Sequence, residues 1–263
     1  MCDLLTVSSH YAYRARFSLP DFAVCGERNC HGWGVGYFKK TGEPAIEKSS
    51  LMAYDNLQDS IDKKLLDLAA RERSEYFIGH VRLTSCGATC DQNCHPFQLP
   101  FLGTTWLFAH NGTCKRIMDY ETEKARIPEA TNDSARIFEY LRDRIDEQTE
   151  SATGMSQSLF RLVRNATLML FNEYDARNET FNFLLCNGHV LFVFMHHRPF
   201  YMLCRKKTAS NALIITTCGD EDGGGLTDGE EWVRVNDEDR SYGSLHMISG
   251  DTVLHSEEIH RGE

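Results

Sequence analysis

A cysteine stands directly behind the initiator methionine, in the opening stretch MCDLLTV. Methionine aminopeptidases remove Met1 when the second side chain is small, and a cysteine side chain is small enough. Cys2 would then carry a nucleophilic thiol together with a free α-amine, which titrates at about pH 7.7 to 8.0. Such a residue could attack a carbonyl carbon and shuttle the proton without a separate histidine base.

Two later segments carry groups that could bind the compound under attack. The segment GHVRLTSCG places Arg82 at the end of an apolar run, and the arginine fork of N–H donors matches a carboxylate. Taken alone, such an arginine is more typical of a surface ion pair. The segment FAHNGT ends in Asn111 and Gly112, whose side-chain amide and backbone N–H could converge on a developing oxyanion. An Asn-Gly pair is also typical of a hairpin turn.

The segment TNDSAR stands where a helical pattern begins. Asp133 or Ser134 in this place is most simply an N-cap or a first-turn residue. An acid there could also bind a substrate ammonium if the helix start faces a pocket. Both interpretations stay open at this point.

The apolar runs predict a layered α+β fold. Amphipathic helices are expected over Asn56–Arg73, with Leu57 on its apolar face, and over Asp133–Ile145, and a third over about Met155–Arg164. Because the strands cluster as hairpins without strict βαβ alternation, the pattern favours a layered sandwich in a single domain, residues 1–263. Strands, many apolar on both faces, are predicted at CDLLTV, WGVGYF, YFIGHVRL, WLFAH, LMLFN, FNFLLC, HVLFVFMHH, FYMLC and ALIITT.

Composition and charge exclude several classes of partner. The 38 acidic and 28 basic residues give a net charge of -10, which repels phosphate backbones and anionic membranes, so we expect no nucleic acid and no membrane as partner. The chain lacks a secretion signal and a membrane-length apolar run, which predicts a cytoplasmic location. Its ten cysteines are therefore expected to be reduced. The acidic, glycine-rich stretch CGDEDGGGLTDGEE predicts a surface loop.

Together, these segments resemble the class II glutamine amidotransferases of the N-terminal nucleophile hydrolase superfamily. The matching features are, in order, Cys2, Arg82 behind Gly-His, a His-Asn-Gly strand end and an Asp that opens a helix. The stretch HGWGVGYF is similar to the Asp-Gly-Trp-Gly segment of stand-alone members, and CHPFQ is similar to their Thr-His-Pro-Phe. The resemblance covers most of the chain. It implies a four-layer αββα sandwich with the active site at one end of two facing sheets.

The resemblance also implies a role for each matching residue. Cys2 would be the nucleophile that forms a thioester with the side-chain carbonyl of glutamine or of a γ-glutamyl compound. The residues matching Asn111 and Gly112 form the oxyanion hole of the family. The residue matching Arg82 binds the substrate α-carboxylate, and the one matching Asp133 binds its α-ammonium.

The segment after Arg82 departs from the synthase-linked members, which continue with Trp-Ala-Thr-His-Gly. Ser85 can replace the threonine hydroxyl, but Cys86 cannot replace the histidine as a polar contact. A γ-glutamyl amide with a bulkier leaving group is therefore a plausible substrate beside glutamine. The expected partners are this small molecule and, since no synthase domain is fused, a separate synthase subunit that could take the ammonia; no cofactor and no metal are expected.

Two alternatives compete with this interpretation. The first is a γ-glutamyl-binding regulatory module that keeps the fold without turnover. The second is a zinc site, although its first three cysteines have three residues between each pair and form no paired knuckles. The candidate zinc ligands are Cys86, Cys90, Cys94 and His95, with Cys25, Cys30 and His31.

Overall fold

A computed structural model of the chain describes residues 2–151, 158–174, 179–206, 211–218, 230–236, 241–260 and 262. The helices are α1 (Ser18–Val24), α2 (Lys63–Arg71), α3 (Asp133–Ser151) and α4 (Leu159–Glu173). The strands are β1 (Asp3–Tyr13), β2 (Trp33–Phe38), β3 (Pro44–Ser49), β4 (Tyr54–Asp55), β5 (Ser60–Ile61), β6 (Ser74–Val81), β7 (Phe97–Phe101), β8 (Thr104–His110), β9 (Phe183–Cys186), β10 (Leu191–Met195), β11 (Tyr201–Arg205), β12 (Ala212–Thr216), β13 (Val233–Arg234), β14 (Tyr242–Ser249) and β15 (Thr252–His260).

These strands form two antiparallel sheets and one short hairpin. The seven-stranded sheet has the order β13-β11-β12-β1-β6-β2-β3, and the six-stranded sheet has the order β15-β14-β10-β9-β8-β7. Strands β4 and β5 pair only with each other. In the first sheet β1 is an inner strand, paired with β12 on one side and β6 on the other. The N-terminal strand is therefore held on both edges.

Three apolar cores separate the layers. Leu5 packs with α1 and α2 on the outer face of the seven-stranded sheet, while its neighbour Leu4 packs between the two sheets. Successive side chains of a strand point to opposite faces, which explains this split. A third core joins the outer face of the six-stranded sheet, through Phe108 and Phe183, to α3 and α4. The layers run helices, sheet, sheet, helices, so the expected αββα sandwich is confirmed. The domain bounds, 1–263, stay a prediction.

The helix predicted over Asn56–Arg73 is shorter than expected. Helix α2 begins only at Lys63, because the Asp62 carboxylate accepts a hydrogen bond from the backbone of Lys64 and caps the helix there. The residues before it form the β4–β5 hairpin. Leu57, counted as part of the apolar face, is 93% exposed.

The other two helix predictions are correct in place but not in length. Helix α3 begins at Asp133 as predicted and continues to Ser151. Helix α4 begins at Leu159 behind the Ser158 cap and includes LMLFN, so the strand predicted there is wrong. Leu170 and Phe171 of this run are buried because α4 contacts both α3 and the six-stranded sheet, whereas Met169 is exposed. Four apolar residues in a row are too few for periodicity to distinguish a helix from a strand. The predicted start near Met155 lies outside the described residues.

The expectation that all cysteines are reduced is wrong for one pair. Cys25 and Cys218 form a disulfide, with their Cα atoms 6.8 Å apart. Cys25 follows α1, and Cys218 follows β12, so the fold brings together two residues that are 193 positions apart in sequence. Eight other cysteines are free.

No helix within the described ranges is both long and apolar enough to cross a membrane. Most of the predicted acidic loop, residues 219 to 229, lies outside those ranges.

Candidate active site

Three strand ends meet at one end of the sandwich. Cys2 precedes β1, and Asp3 pairs with Val81 at the end of β6, so Cys2 lies beside Arg82. In the facing sheet, β8 ends directly before Asn111. The Asn111 side-chain amide donates a hydrogen bond to the carbonyl of Cys2. The structure therefore brings three of the predicted site residues together across the two sheets.

The Cys2 thiol is partly buried against the backbone that follows β6. Its Sγ donates to the carbonyl of Leu83 and accepts from the Leu83 N–H, both at 3.2 Å. Burial raises the pKa of the Cys2 thiol, and the Leu83 N–H opposes this effect only in part. The sulfur is therefore a neutral thiol at neutral pH and needs a base before it can attack.

This raised pKa predicts the pH dependence of Cys2 alkylation. In a chain that carries a short tag in front of Met1, no α-amine can act on the thiol. A folded-state pKa above the usual value of about 8.5 means that little thiolate exists at pH 7 and that the iodoacetamide rate still climbs above pH 9. The rate at Cys2 is read by peptide mass spectrometry across that range. A rate that levels off below pH 8 would contradict the assignment.

Arg82 is a buried cation without a carboxylate partner among the described residues. Its side chain is 3% exposed, and its guanidinium donates to the carbonyls of Ala88 and Cys86 at 3.1 and 3.2 Å. A buried charge without an opposite charge is costly, and these two bonds leave guanidinium donors for another acceptor. The guanidinium also acts electrostatically on the Cys2 thiol, whose pKa it lowers slightly. Its surroundings suit an anion bound close to the sulfur.

Asn111 is held by a residue that the sequence interpretation missed. The Asn182 side-chain amide donates to the Asn111 carbonyl at 3.1 Å, and the two backbones exchange hydrogen bonds. The side-chain oxygen Oδ1 of Asn182 accepts from the backbone N–H groups of His196 and His197. Asn182 is fully buried. The signal for it in the sequence is a polar amide within the apolar run FNFLLC. One N–H of the Asn111 amide remains for a ligand after the bond to Cys2.

Gly112 follows at a point where another chain segment comes very close. A Cβ atom at this position would lie 1.9 Å from the Thr180 carbonyl oxygen and 2.6 Å from Nε2 of His110. Only glycine fits this approach. The position beside Asn111 therefore depends on the absence of a side chain.

Replacing Gly112 by alanine is expected to displace this turn. The overlap with Thr180 predicts a loss of about 1–3 kcal/mol in unfolding free energy together with a loss of turnover. Gly103→Ala is the matched control, because Gly103 has φ +73° and no neighbouring atom within 4 Å of its Cβ position. This control should cost roughly 1–2 kcal/mol through strain while leaving turnover intact. Equal turnover in both variants at equal stability would contradict the assignment of Gly112.

Ser85 lies beside the same turn. Its Oγ accepts a hydrogen bond from Thr113 Oγ1 at 3.0 Å, and its side chain is exposed. The residue after Gly112 is thus linked to the loop after Arg82. The hydroxyl predicted to substitute for the family threonine is present at the mouth of the site.

Asp133 opens α3 but does not cap it. The cap is Asn132, whose Oδ1 accepts from the Ala135 N–H at 3.0 Å, so the N-cap interpretation of Asp133 or Ser134 is corrected and the first-turn interpretation holds. The Asp133 carboxylate accepts from the N–H groups of Cys114 and Ser134, at 2.7 and 2.9 Å. It is 3% exposed. Each carboxylate oxygen keeps a lone pair for a further donor.

Three buried histidines lie around the site in neutral form. His110 donates from Nε2 to the Thr180 carbonyl, so its Nδ1 is the acceptor for the Ser134 hydroxyl, 2.9 Å away. His80 and His95 share a hydrogen bond of 2.9 Å between the sheets. Burial lowers the pKa of all three, and the Arg82 charge lowers the pKa of His80 further. These neutral rings add no positive charge beside Cys2, whereas the Arg82 guanidinium does.

The candidate zinc ligands do not form a metal site in the structure described. Cys25 is bonded to Cys218, and the His95 ring contacts His80 and Phe97. Cys94 is buried and donates to backbone carbonyls. In the part of the chain that the structure describes, no three His, Cys, Asp or Glu side chains are arranged to hold a metal ion.

The fold and this site define a class. A family model described as "Glutamine amidotransferases class-II" matches residues 1–216 of the 263-residue chain. The chain belongs to this family. The resemblance carried by the sequence motifs is thereby confirmed at the level of the family.

Individual relatives agree with this assignment. A Haemophilus influenzae protein named "Putative glutamine amidotransferase" is 27% identical to this chain over 191 residues. These residues are 72% of this chain and 60% of that relative. A solved Pseudomonas aeruginosa structure, described as a predicted glutamine amidotransferase, matches with a TM-score of 0.57 and 20% identity, over 97% of this chain and all of that one. The glutamine phosphoribosylpyrophosphate amidotransferase of B. subtilis matches with a TM-score of 0.62 and 14% identity, over 98% of this chain and 49% of that one. The two structures establish similarity of fold alone.

Proposed function

We propose that the chain cleaves the side-chain amide of glutamine or of a γ-glutamyl compound through a thioester on Cys2, and releases ammonia or an amine. The observation that carries the proposal is the buried guanidinium of Arg82, which has no carboxylate partner in the described residues and lies next to the thiol. Family membership supports the reaction type.

Two opposite charges would recognise the amino-acid head of the substrate. Arg82 is the donor for the α-carboxylate, and its rigid fork suits two oxygens. Asp133, at the start of α3, is the proposed acceptor for the α-ammonium. Ser134 and His110 connect this carboxylate to the strand end that carries Asn111.

The first half of the reaction forms the thioester. After removal of Met1, the α-amine of Cys2 takes the thiol proton and Sγ forms a bond to the amide carbon. The carbonyl oxygen becomes an oxyanion, which accepts hydrogen bonds from the Asn111 side chain and the Gly112 N–H. The bond from carbon to nitrogen then breaks, and the proton passes from the α-ammonium to the leaving ammonia or amine.

The second half releases glutamate. A water molecule gives its proton to the α-amine and attacks the thioester carbon, so a bond from carbon to oxygen forms and the bond to Sγ breaks. The thiolate recovers the proton. Because an α-amine titrates at about pH 7.7 to 8.0, it can accept and donate this proton near neutral pH.

The residue at position 86 bears on the leaving group. Cys86 stands where synthase-linked members have a histidine, and its carbonyl binds Arg82. A γ-glutamyl amide with a larger amine is therefore included beside glutamine. A separate synthase subunit is the proposed acceptor of ammonia if none is released to water.

The experiment is a release assay on processed protein, whose intact mass shows the loss of Met1. Glutamine and a panel of γ-glutamyl amides are incubated with the chain, and ammonia, amine and glutamate are measured. Release that disappears in Cys2→Ala supports the proposal. Binding of these compounds without any release by the folded, processed chain would favour the regulatory module instead.

A further inference from the structure

The residue next to Cys2 is held from three sides. Asp3 is 7% exposed, and its Oδ1 accepts from Arg198 Nη2 at 2.7 Å and from Thr217 Oγ1 at 2.9 Å. Its Oδ2 accepts from Asn29 Nδ2 at 2.7 Å. We name this set, Asp3 with Asn29, Arg198 and Thr217, the Asp3 clamp. A carboxylate bound by three donors fixes the backbone at its own position.

The clamp continues along the chain that leads away from Cys2. The Thr217 hydroxyl accepts from the Leu4 N–H at 2.9 Å, and the Thr217 N–H donates to the Leu4 carbonyl at 3.0 Å. Cys2 itself precedes β1 and is fixed on the other side by Leu83 and Asn111. The position of the sulfur therefore depends on how the clamp holds the next two residues.

The disulfide joins the chain segments that carry two members of the clamp, Asn29 and Thr217. Asn29 Nδ2 also donates to the carbonyl of Cys25 at 3.1 Å. Cys218 follows Thr217 directly. The bond between Cys25 and Cys218 thus links the segment that holds Oδ2 of Asp3 to the segment that holds Oδ1.

We propose that Asp3 is a positioning residue for Cys2, and that the Cys25–Cys218 disulfide braces its clamp so that reduction lowers turnover. A dithiol would cleave the bond, giving two cysteine thiols and the oxidised, cyclic disulfide of the reductant. The segments of Asn29 and Thr217 then lose their covalent link and are joined only through their hydrogen bonds to Asp3. The inference rests on the proposed function, since it concerns the same nucleophile.

The first experiment compares the oxidised and reduced forms of the protein at equal protein concentration. Turnover is measured in the wild type before and after dithiothreitol, and in Cys25→Ser/Cys218→Ser, with Cys204→Ser as the control because Cys204 is an exposed free cysteine. We expect kcat to fall about tenfold on reduction and in the double variant, with KM changed by less than about twofold, since a misplaced nucleophile costs rate rather than affinity. The double variant should not respond to dithiothreitol. Equal kcat in all four samples would overturn the proposal.

The second experiment does not depend on turnover. The rate of Cys2 alkylation by iodoacetamide is followed by peptide mass spectrometry in the oxidised wild type and in the double serine variant. A Cys2 released from its fixed contact with Leu83 should react several times faster. If no compound is turned over, the proposed function fails while this rate still tests the clamp, and an unchanged rate would overturn it.

The third experiment separates positioning from general stability. In Asp3→Asn the negative charge of the clamp is lost and the contact with Arg198 is weakened, so we expect a comparable fall in kcat. Removing the disulfide in the Asp3→Asn background should then add little, because both changes act through one contact set. Thermal unfolding of each variant shows that the compared chains are folded; if the double serine variant does not fold, the reduced wild type replaces it. Losses in kcat that simply multiply would contradict action of the disulfide through Asp3.

Discussion

Replacing Cys2 by alanine is expected to abolish turnover, with a loss of at least ~10⁴-fold in kcat, as for other enzymes that lose a covalent nucleophile. The reason is that the thioester needs a sulfur at the position fixed by Leu83 and Asn111, and alanine leaves none there. The fold should survive, because the Cys2 side chain contacts only the backbone of Leu83 in its hydrogen bonds. Release of glutamate under single-turnover conditions measures the loss.

Two variants control this result. Cys2→Ser keeps a small second residue, so Met1 is still removed, but its hydroxyl is a far weaker nucleophile than a thiol. It should bind substrate and turn it over very slowly. Cys204→Ala, at an exposed free cysteine, should behave as the wild type. Substantial release by Cys2→Ala would exclude Cys2 as the nucleophile.

Replacing Arg82 by glutamine is expected to lower kcat/KM by about 100-fold, because a charge-assisted hydrogen bond to a carboxylate contributes roughly 1.5–3 kcal/mol. Arg82→Lys should recover only part of this, since it keeps the charge but loses the planar fork. The loss should be much smaller for a substrate whose α-carboxylate is replaced by an amide. That comparison between two substrates is the measurement that assigns the contact.

The stability of the Arg82 variant provides an independent readout. Without substrate, Arg82→Gln loses the bonds to Ala88 and Cys86 but also removes an unpaired buried charge, so the two effects largely offset each other. We expect the unfolding midpoint to stay near that of the wild type. Arg71→Gln is the control, because Arg71 is an exposed arginine that pairs with Glu47 and Glu72. Full kcat/KM in Arg82→Gln would remove Arg82 from the site.

The strands could be predicted where an apolar run had a clear start and end. WGVGYF is β2 as predicted, and the runs that are apolar on both faces are those buried between a helix layer and the second sheet. The strand predicted at LMLFN is wrong because four consecutive apolar residues fit a short strand as well as a turn of helix, and in α4 one of them, Met169, is exposed. The helix predicted to include Leu57 begins too early, because the apolar spacing continues on the N-terminal side of Asp62, the residue that caps α2.

The sequence predicts those residues of the site that lie at the ends of strands. Cys2, Arg82 and Asn111 each stand at the end of an apolar run, and the sheets bring those ends together. The residues that hold them come from distant segments. Asn182 and Thr217 reach the site only through sheet pairing, and no local pattern relates them to Cys2.

The disulfide shows a different limit. An expected cytoplasmic location and the chain length favour reduced cysteines. Neither predicts which two cysteines lie close together in the fold. The pairing of Cys25 with Cys218 depends on β12 ending beside the turn after α1. Topology therefore decides what composition leaves open.

The thioester on Cys2 is tested most directly by mass spectrometry of the native protein, quenched in acid during turnover of glutamine or an active γ-glutamyl amide. We expect an N-terminal peptide that begins at Cys2, without Met1, and carries one γ-glutamyl group on its sulfur. A γ-glutamyl group on another residue, or an active protein that retains Met1, would contradict it.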